Sequence, residues 1–125
     1  MMKRGLVEKK TISKKEIEEL CNSGKKIHHS SLKLMWDFNN ENTELIKLII
    51  SVPKKKVKLA VKRNYIKRVI REIYRKEKPN LLKEIEKPIS IIIVYNKNEV
   101  LKFKQIQEIL TYLFQKLIKK NYENN

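Results

Sequence analysis

The chain has 125 residues, room for one domain built on one core. Thirty Lys+Arg against 14 Asp+Glu leave a formal net charge of +16, a self-repulsion that points to a polyanionic partner: nucleic acid first, an anionic membrane surface second. Hydrophobic residues at 41% exclude a disordered polycation, the single Cys21 excludes an internal disulfide or a cysteine-based zinc site, and no apolar run is long enough to span a bilayer.

Residues 1–12 are basic, contain Gly5 and lack a hydrophobic period, so the expectation is a flexible tail on a single domain covering residues 1–125. No apolar stretch follows Lys3 and Arg4, which argues against a secretory signal and for a cytoplasmic protein. Thr11–Gly24 reads as a short helix. Ser13 and Glu16 have capping-box spacing, Ile17, Leu20 and Cys21 recur at i, i+3, i+4, and Gly24 is placed to end it. Residues 27–38 alternate loosely through Leu32, Leu34, Trp36 and Phe38 and read as one strand. Asn39-Asn40-Glu41-Asn42 reads as a turn, and residues 44–52 as a second strand ending at Pro53, the two strands pairing as a hairpin.

From about Lys56 to Lys78 there is no Gly or Pro, and Pro79-Asn80 closes what reads as one long helix. Ile89–Tyr95 is nearly continuous in β-branched residues, the pattern of a central strand. Phe103–Lys120 places apolar residues at 103, 106, 109, 110, 113, 114, 117 and 118, an amphipathic helix with a core-facing stripe. The order helix, strands, helix, strand, helix gives an α+β fold, helices packed on a small sheet.

The cations are not all of one kind. Twenty-five are Lys and only five are Arg, yet Arg63, Arg68, Arg71 and Arg75 fall within residues 63–75. Arg presents a planar fork suited to bidentate phosphate contacts, whereas Lys is a point charge. At about 100° per residue, Ala60, Arg63, Asn64, Lys67, Arg68, Arg71, Arg75 and Lys78 share an arc of roughly 140° on the long helix. Leu59, Val61, Tyr65, Ile66, Val69, Ile70 and Ile73 occupy the other half, expected to pack on the sheet. Lys54-Lys55-Lys56 extends the charge at the helix entrance. A basic helix is often only a solvated face. Here the segregation of Arg, the scarcity of acidic neighbours and the net charge favour a phosphate backbone as partner. Asn64, a donor and an acceptor in the middle of the stripe, suits a ribose, a base edge or a hydrated metal ion.

These residues also carry a resemblance. Ser51-Val52-Pro53-Lys54-Lys55-Lys56-Val57, followed by Ala60-Val61-Lys62-Arg63-Asn64-Tyr65-Ile66-Lys67-Arg68-Val69-Ile70-Arg71-Glu72, resembles the signature of the bacterial ribonuclease P protein family: a strand ending V-x-K-K, a short linker, then A-x-x-R-N-R-x-K-R-x-x-R-E. The resemblance implies a single α/β domain with a left-handed βαβ crossover. It implies a catalytic ribonuclease P RNA as partner, which uses magnesium to remove the 5′ leader of precursor tRNA, while the protein binds that RNA and the leader. By position, Lys54, Lys55, Arg63, Asn64, Lys67, Arg68 and Arg71 take the family's RNA-contacting roles, and Arg75 continues their stripe. The third residue of the R-N-R triplet is Tyr65 here. The positions that commonly present two aromatics to the leader cleft hold Ile17 and Cys21, and the aromatic often found at the end of the first strand corresponds to Met35, with Trp36 beside it.

No other chemistry competes. A protein nuclease needs an acid/base pair or a carboxylate cluster for metal. His28 and His29 are the only histidines, and neighbours on a strand point to opposite faces, so they do not converge. Glu16, Glu18, Glu19 and Glu108 read as solvated helix residues, and Cys21 as core packing. The expectation is therefore no catalytic residue, no metal ligand and no cofactor required by this chain, with magnesium bound by the RNA. Two other classes share the charge: a ribosomal or general structured-RNA-binding protein, and an architectural DNA-binding protein.

Overall fold

Ile89–Tyr95 has apolar side chains pointing both ways, and a strand of that kind is satisfied only where both of its faces and both of its edges are covered. The computed structural model, which describes residues 14–123, gives it that position. The elements are α1 (Lys14–Ser23), β1 (Lys25–His29), β2 (Leu32–Phe38), β3 (Ile46–Ser51), α2 (Ala60–Glu84), β4 (Ile89–Tyr95) and α3 (Phe103–Glu123). The sheet order is β1-β2-β4-β3. β4 runs antiparallel to β2, with Trp36 opposite Ile91, and parallel to β3, with Ile49 opposite Ile92. The basic tail and the Ser13 cap fall outside the described residues.

The hairpin expected between residues 27–38 and 44–52 does not form, because β4 inserts between them. The single strand expected over 27–38 is two strands. Ser30 adopts φ 57, turning the chain so that β1 folds back on β2 with Ile27 opposite Leu34. β3, α2 and β4 make the parallel βαβ unit that the resemblance implies.

Period-two alternation then assigns the two faces of the sheet. Leu32, Leu34, Trp36, Ile89, Ile91 and Ile93 share one core with α2 and α3. Met35, Ile49 and Ile92 point the other way and meet Leu20 of α1, with Ile17 and Val94 packed alongside. Gly24 ends α1 without a positive φ. Its requirement is space: a Cβ there would lie 2.5 Å from the Leu20 carbonyl oxygen and 3.2 Å from that of Trp36.

Two expectations for the long helix are corrected. It does not stop at Pro79 but continues to Glu84, with Pro79 on its exposed side. Proline there forgoes one hydrogen bond to the preceding turn, while the added turn buries Leu81 and brings Ile85 into the core. At the other end, Leu59, Val61 and Tyr65 do not pack on the sheet: they are 58%, 75% and 37% exposed. The first core residue of α2 is Ile66, so its opening turns project beyond the sheet. Among the described residues, no helix is long and apolar enough to cross a membrane.

Candidate nucleic-acid interface

The interface begins in the linker between β3 and α2. Val52 and Val57 are buried and pin its two ends. Between them, the Pro53 carbonyl accepts the N–H groups of Lys56 at 3.0 Å and Val57 at 3.1 Å, a tight turn that leaves Lys54, Lys55 and Lys56 exposed. Arg63 then ties this linker to the helix. Its Nη1 donates to the carbonyls of Val57 at 3.0 Å and Lys58 at 2.8 Å, so part of its fork holds backbone and the remaining donors are open to a phosphate. The sequence did not disclose this clamp.

Along α2, Ile66, Val69, Ile70 and Ile73 are buried and set the rotation of the helix. Asn64, Arg68, Arg71 and Arg75 consequently face solvent, with Lys67 half-buried at their border. None of these four cations forms an ion pair among the described residues. The helix opens without an acidic residue in its first turn, and its N-cap Leu59 makes no side-chain capping bond. The positive end of the helix dipole thus adds to the charge of the stripe. Every cation assigned to RNA contact is on the surface, and α2 brings five of them onto one face.

The expected leader cleft lies on the opposite side of the sheet, and the structure divides its four residues. Ile17 is half-buried and packs beside Met35, which is buried under α1. Cys21 is exposed, not in the core: Leu20, one position before it, takes the inward direction. Trp36 cannot belong to that cleft. As the strand neighbour of Met35 it points to the other face, where it is fully buried. The register supplies what the sequence missed: Lys26 lies opposite Met35, and His28 opposite Lys33, so these three residues share the Met35 face. His29 faces the other way and its ring packs at 4.0 Å on Tyr112 of α3, so the two histidines diverge as expected.

Glu16 is not a solvated helix residue. Its carboxylate accepts from Lys47 Nζ at 3.1 Å, Ser90 Oγ at 3.1 Å and Asn39 Nδ2 at 3.4 Å, joining α1 to β3, β4 and the turn after β2. Beside it a cavity of about 650 Å³ is lined by Glu16, Glu19, Asp37 and Glu41 among others. That end of the face is acidic; the Lys26–His28–Lys33 end is basic and the better suited to a nucleic-acid strand.

A model of the family described as ribonuclease P matches residues 7–118. The ribonuclease P protein component of Mycoplasma genitalium is 36% identical over 81 residues, which is 64% of this chain and 59% of that protein. The match therefore spans less than two thirds of that relative's length. The RNase P protein of Staphylococcus aureus superposes with a TM-score of 0.70 at 26% identity, over 83% of this chain and 90% of that one. A mutant of the S. aureus protein, with defective mRNA degradation activity, superposes with a TM-score of 0.74 at 25% identity, over 92% of this chain and 94% of that one. With the family model covering both the sheet and the arginine helix, the chain belongs to the ribonuclease P protein family.

Proposed function

We propose that this chain is the RNA-binding subunit of ribonuclease P, acting with a catalytic RNA in the endonucleolytic removal of the 5′ leader from precursor tRNA. The observation that carries the reading is the α2 stripe: Asn64, Lys67, Arg68, Arg71 and Arg75 on one helix face, with no carboxylate paired to the cations among the described residues. Such a stripe repels itself in the free protein and gains charge-assisted hydrogen bonds against a phosphate backbone. Lys54, Lys55 and the free donors of Arg63 extend it at the helix entrance.

The leader of the precursor tRNA would lie on the other face of the sheet, along Ile17, Cys21 and the Lys26–His28–Lys33 end. Apolar contact there replaces the aromatic stacking for which the family commonly has side chains. The chain's own contribution is electrostatic and positional: it lowers phosphate repulsion and fixes substrate against catalyst. The magnesium that such cleavage uses would be held by the RNA; among the described residues no three His, Cys, Asp or Glu side chains are grouped to hold a metal ion. A cytoplasmic location follows from that partnership.

Capture of cellular RNA on the tagged full chain, followed by sequencing, tests the reading. One abundant structured RNA able to cleave precursor tRNA is the expected catch. Ribosomal RNA alone, or DNA alone, would overturn it.

A further inference from the structure

Tyr65 departs from the chemistry of the stripe it borders. It is an aromatic residue, 37% exposed, with Val61 one turn earlier on the same flank 75% exposed and Leu59 at the N-cap 58% exposed. Folding gives no reason for this apolar surface, since the buried residues that orient α2 begin at Ile66. The guanidinium of Arg68 lies over the Tyr65 ring, its central carbon 5.4 Å from the ring centroid. A cation over an aromatic face is attracted by the ring quadrupole, which favours keeping the guanidinium and the ring together as a pair. Helical spacing puts the Tyr65 ring between Arg68, with Asn64 beyond it, on one side and Lys62 on the other, all exposed. Glu72 is the one carboxylate on that flank.

An exposed aromatic ring paired with an exposed guanidinium, with further cations beside them, matches a nucleobase attached to a phosphate strand. Stacking needs an accessible base face, which a duplex hides and an unpaired nucleotide offers. An apolar protein partner would bury Lys62, Arg68 and Asn64 without compensation, which the charge of this flank disfavours. We propose that Tyr65 and Arg68 form a stacking platform for one unpaired base of the bound RNA, with Val61 closing its edge and the flanking phosphates lying on the arginine stripe. The inference rests on the RNA-binding reading above and deepens it: α2 would grip an unpaired nucleotide as well as backbone.

The test compares the full chain with Tyr65→Ala and Tyr65→Phe on two probes, a short single-stranded oligoribonucleotide and an RNA duplex of the same length. Fluorescence of a purine analogue in the single strand reports stacking, and thermal melts verify folding of each variant. Loss of a stacked base costs roughly a tenfold to hundredfold of affinity. Tyr65→Ala should show that loss on the single strand, with the fluorescence change abolished and duplex affinity unaltered, while Tyr65→Phe should behave as the parent chain. Equal affinities of parent and Tyr65→Ala for the single strand would overturn the platform, as would equal losses on both probes. So would self-association of the parent chain that Tyr65→Ala abolishes with RNA affinity unchanged, marking the flank as a protein contact. If the parent binds neither probe, the RNA-binding reading itself has failed.

Discussion

Glu16 of α1 holds Lys47 of β3 at 3.1 Å, Oε1 to Nζ, with both side chains largely sheltered by the helix and the sheet. Because the same carboxylate also accepts from Ser90 and Asn39, a single side chain fastens α1 over the Met35 face. Glu16→Ala removes one carboxylate that a partly buried ammonium, hydroxyl and amide all share, and should cost about 1–3 kcal/mol in chemical denaturation. Amide exchange should quicken in α1 before it does in β4. An unchanged midpoint would show that the Glu16 bonds do not hold α1 to the sheet.

Trp36 separates the fold from the site. Its ring is fully buried, edge-on to Phe38 at 5.6 Å and 86°, and its Nε1–H has no hydrogen-bond acceptor among the described residues. Trp36→Phe removes contact area and an unsatisfied donor together, so it should cost about 1–2 kcal/mol, against about 3–5 kcal/mol for Trp36→Ala. Neither should change affinity for a single-stranded leader once folding is allowed for. A selective loss of leader binding in Trp36→Phe would place the indole at the cleft after all.

Tyr74 provides a test at alkaline pH. Burial, and then the negative charge of Glu44, pushes its phenol from 10.0 up to about 12. Above the unfolded value the unfolded chain gives up this proton while the folded chain retains it. The contribution is therefore fully present below pH 10 and is lost as pH rises through about 12. Denaturation midpoints of the parent chain should fall more steeply across that window than those of Tyr74→Phe. Parallel curves would show that the Tyr74 phenol titrates alike in the folded and unfolded chains.

The salt dependence of RNA binding measures how much of the stripe is engaged. If α2 and its entrance neutralise about six phosphates, log K should fall against log salt with a slope of roughly −4 to −5. A slope near zero would place the charge away from the interface.

The elements that are legible in the sequence are those whose pattern is local. The helical periods of α2 and α3 and the continuous apolar run of β4 are set by near neighbours in the chain. The partner of β4 is not: β2 and β3 flank it because the backbone groups along both edges of a buried strand need partners, and that pairing spans dozens of intervening residues. The turn at Ser30 is not legible because no Gly, Asn or Pro marks it, and Pro79 misleads because the core residues Leu81 and Ile85 outweigh one lost hydrogen bond. Of the site, the cations are legible by type and spacing. The Arg63 clamp, the hub at Glu16 and the exposure of Tyr65 are not, since each depends on where α2 and α1 end relative to the sheet.

Cleavage of precursor tRNA by the cognate catalytic RNA at limiting magnesium is the most direct measurement, made with the parent chain, with Arg68→Lys/Arg71→Lys, and with the exposed control Lys104→Arg. The double variant keeps the net charge but loses the bidentate forks. The parent and the control should raise cleavage equally. The double variant should need a higher concentration for the same effect, by about 1–3 kcal/mol of RNA affinity, and the chain without RNA should cut nothing. Equal stimulation by all three would reduce the stripe to diffuse charge, and RNA-independent cleavage by the chain would contradict the account.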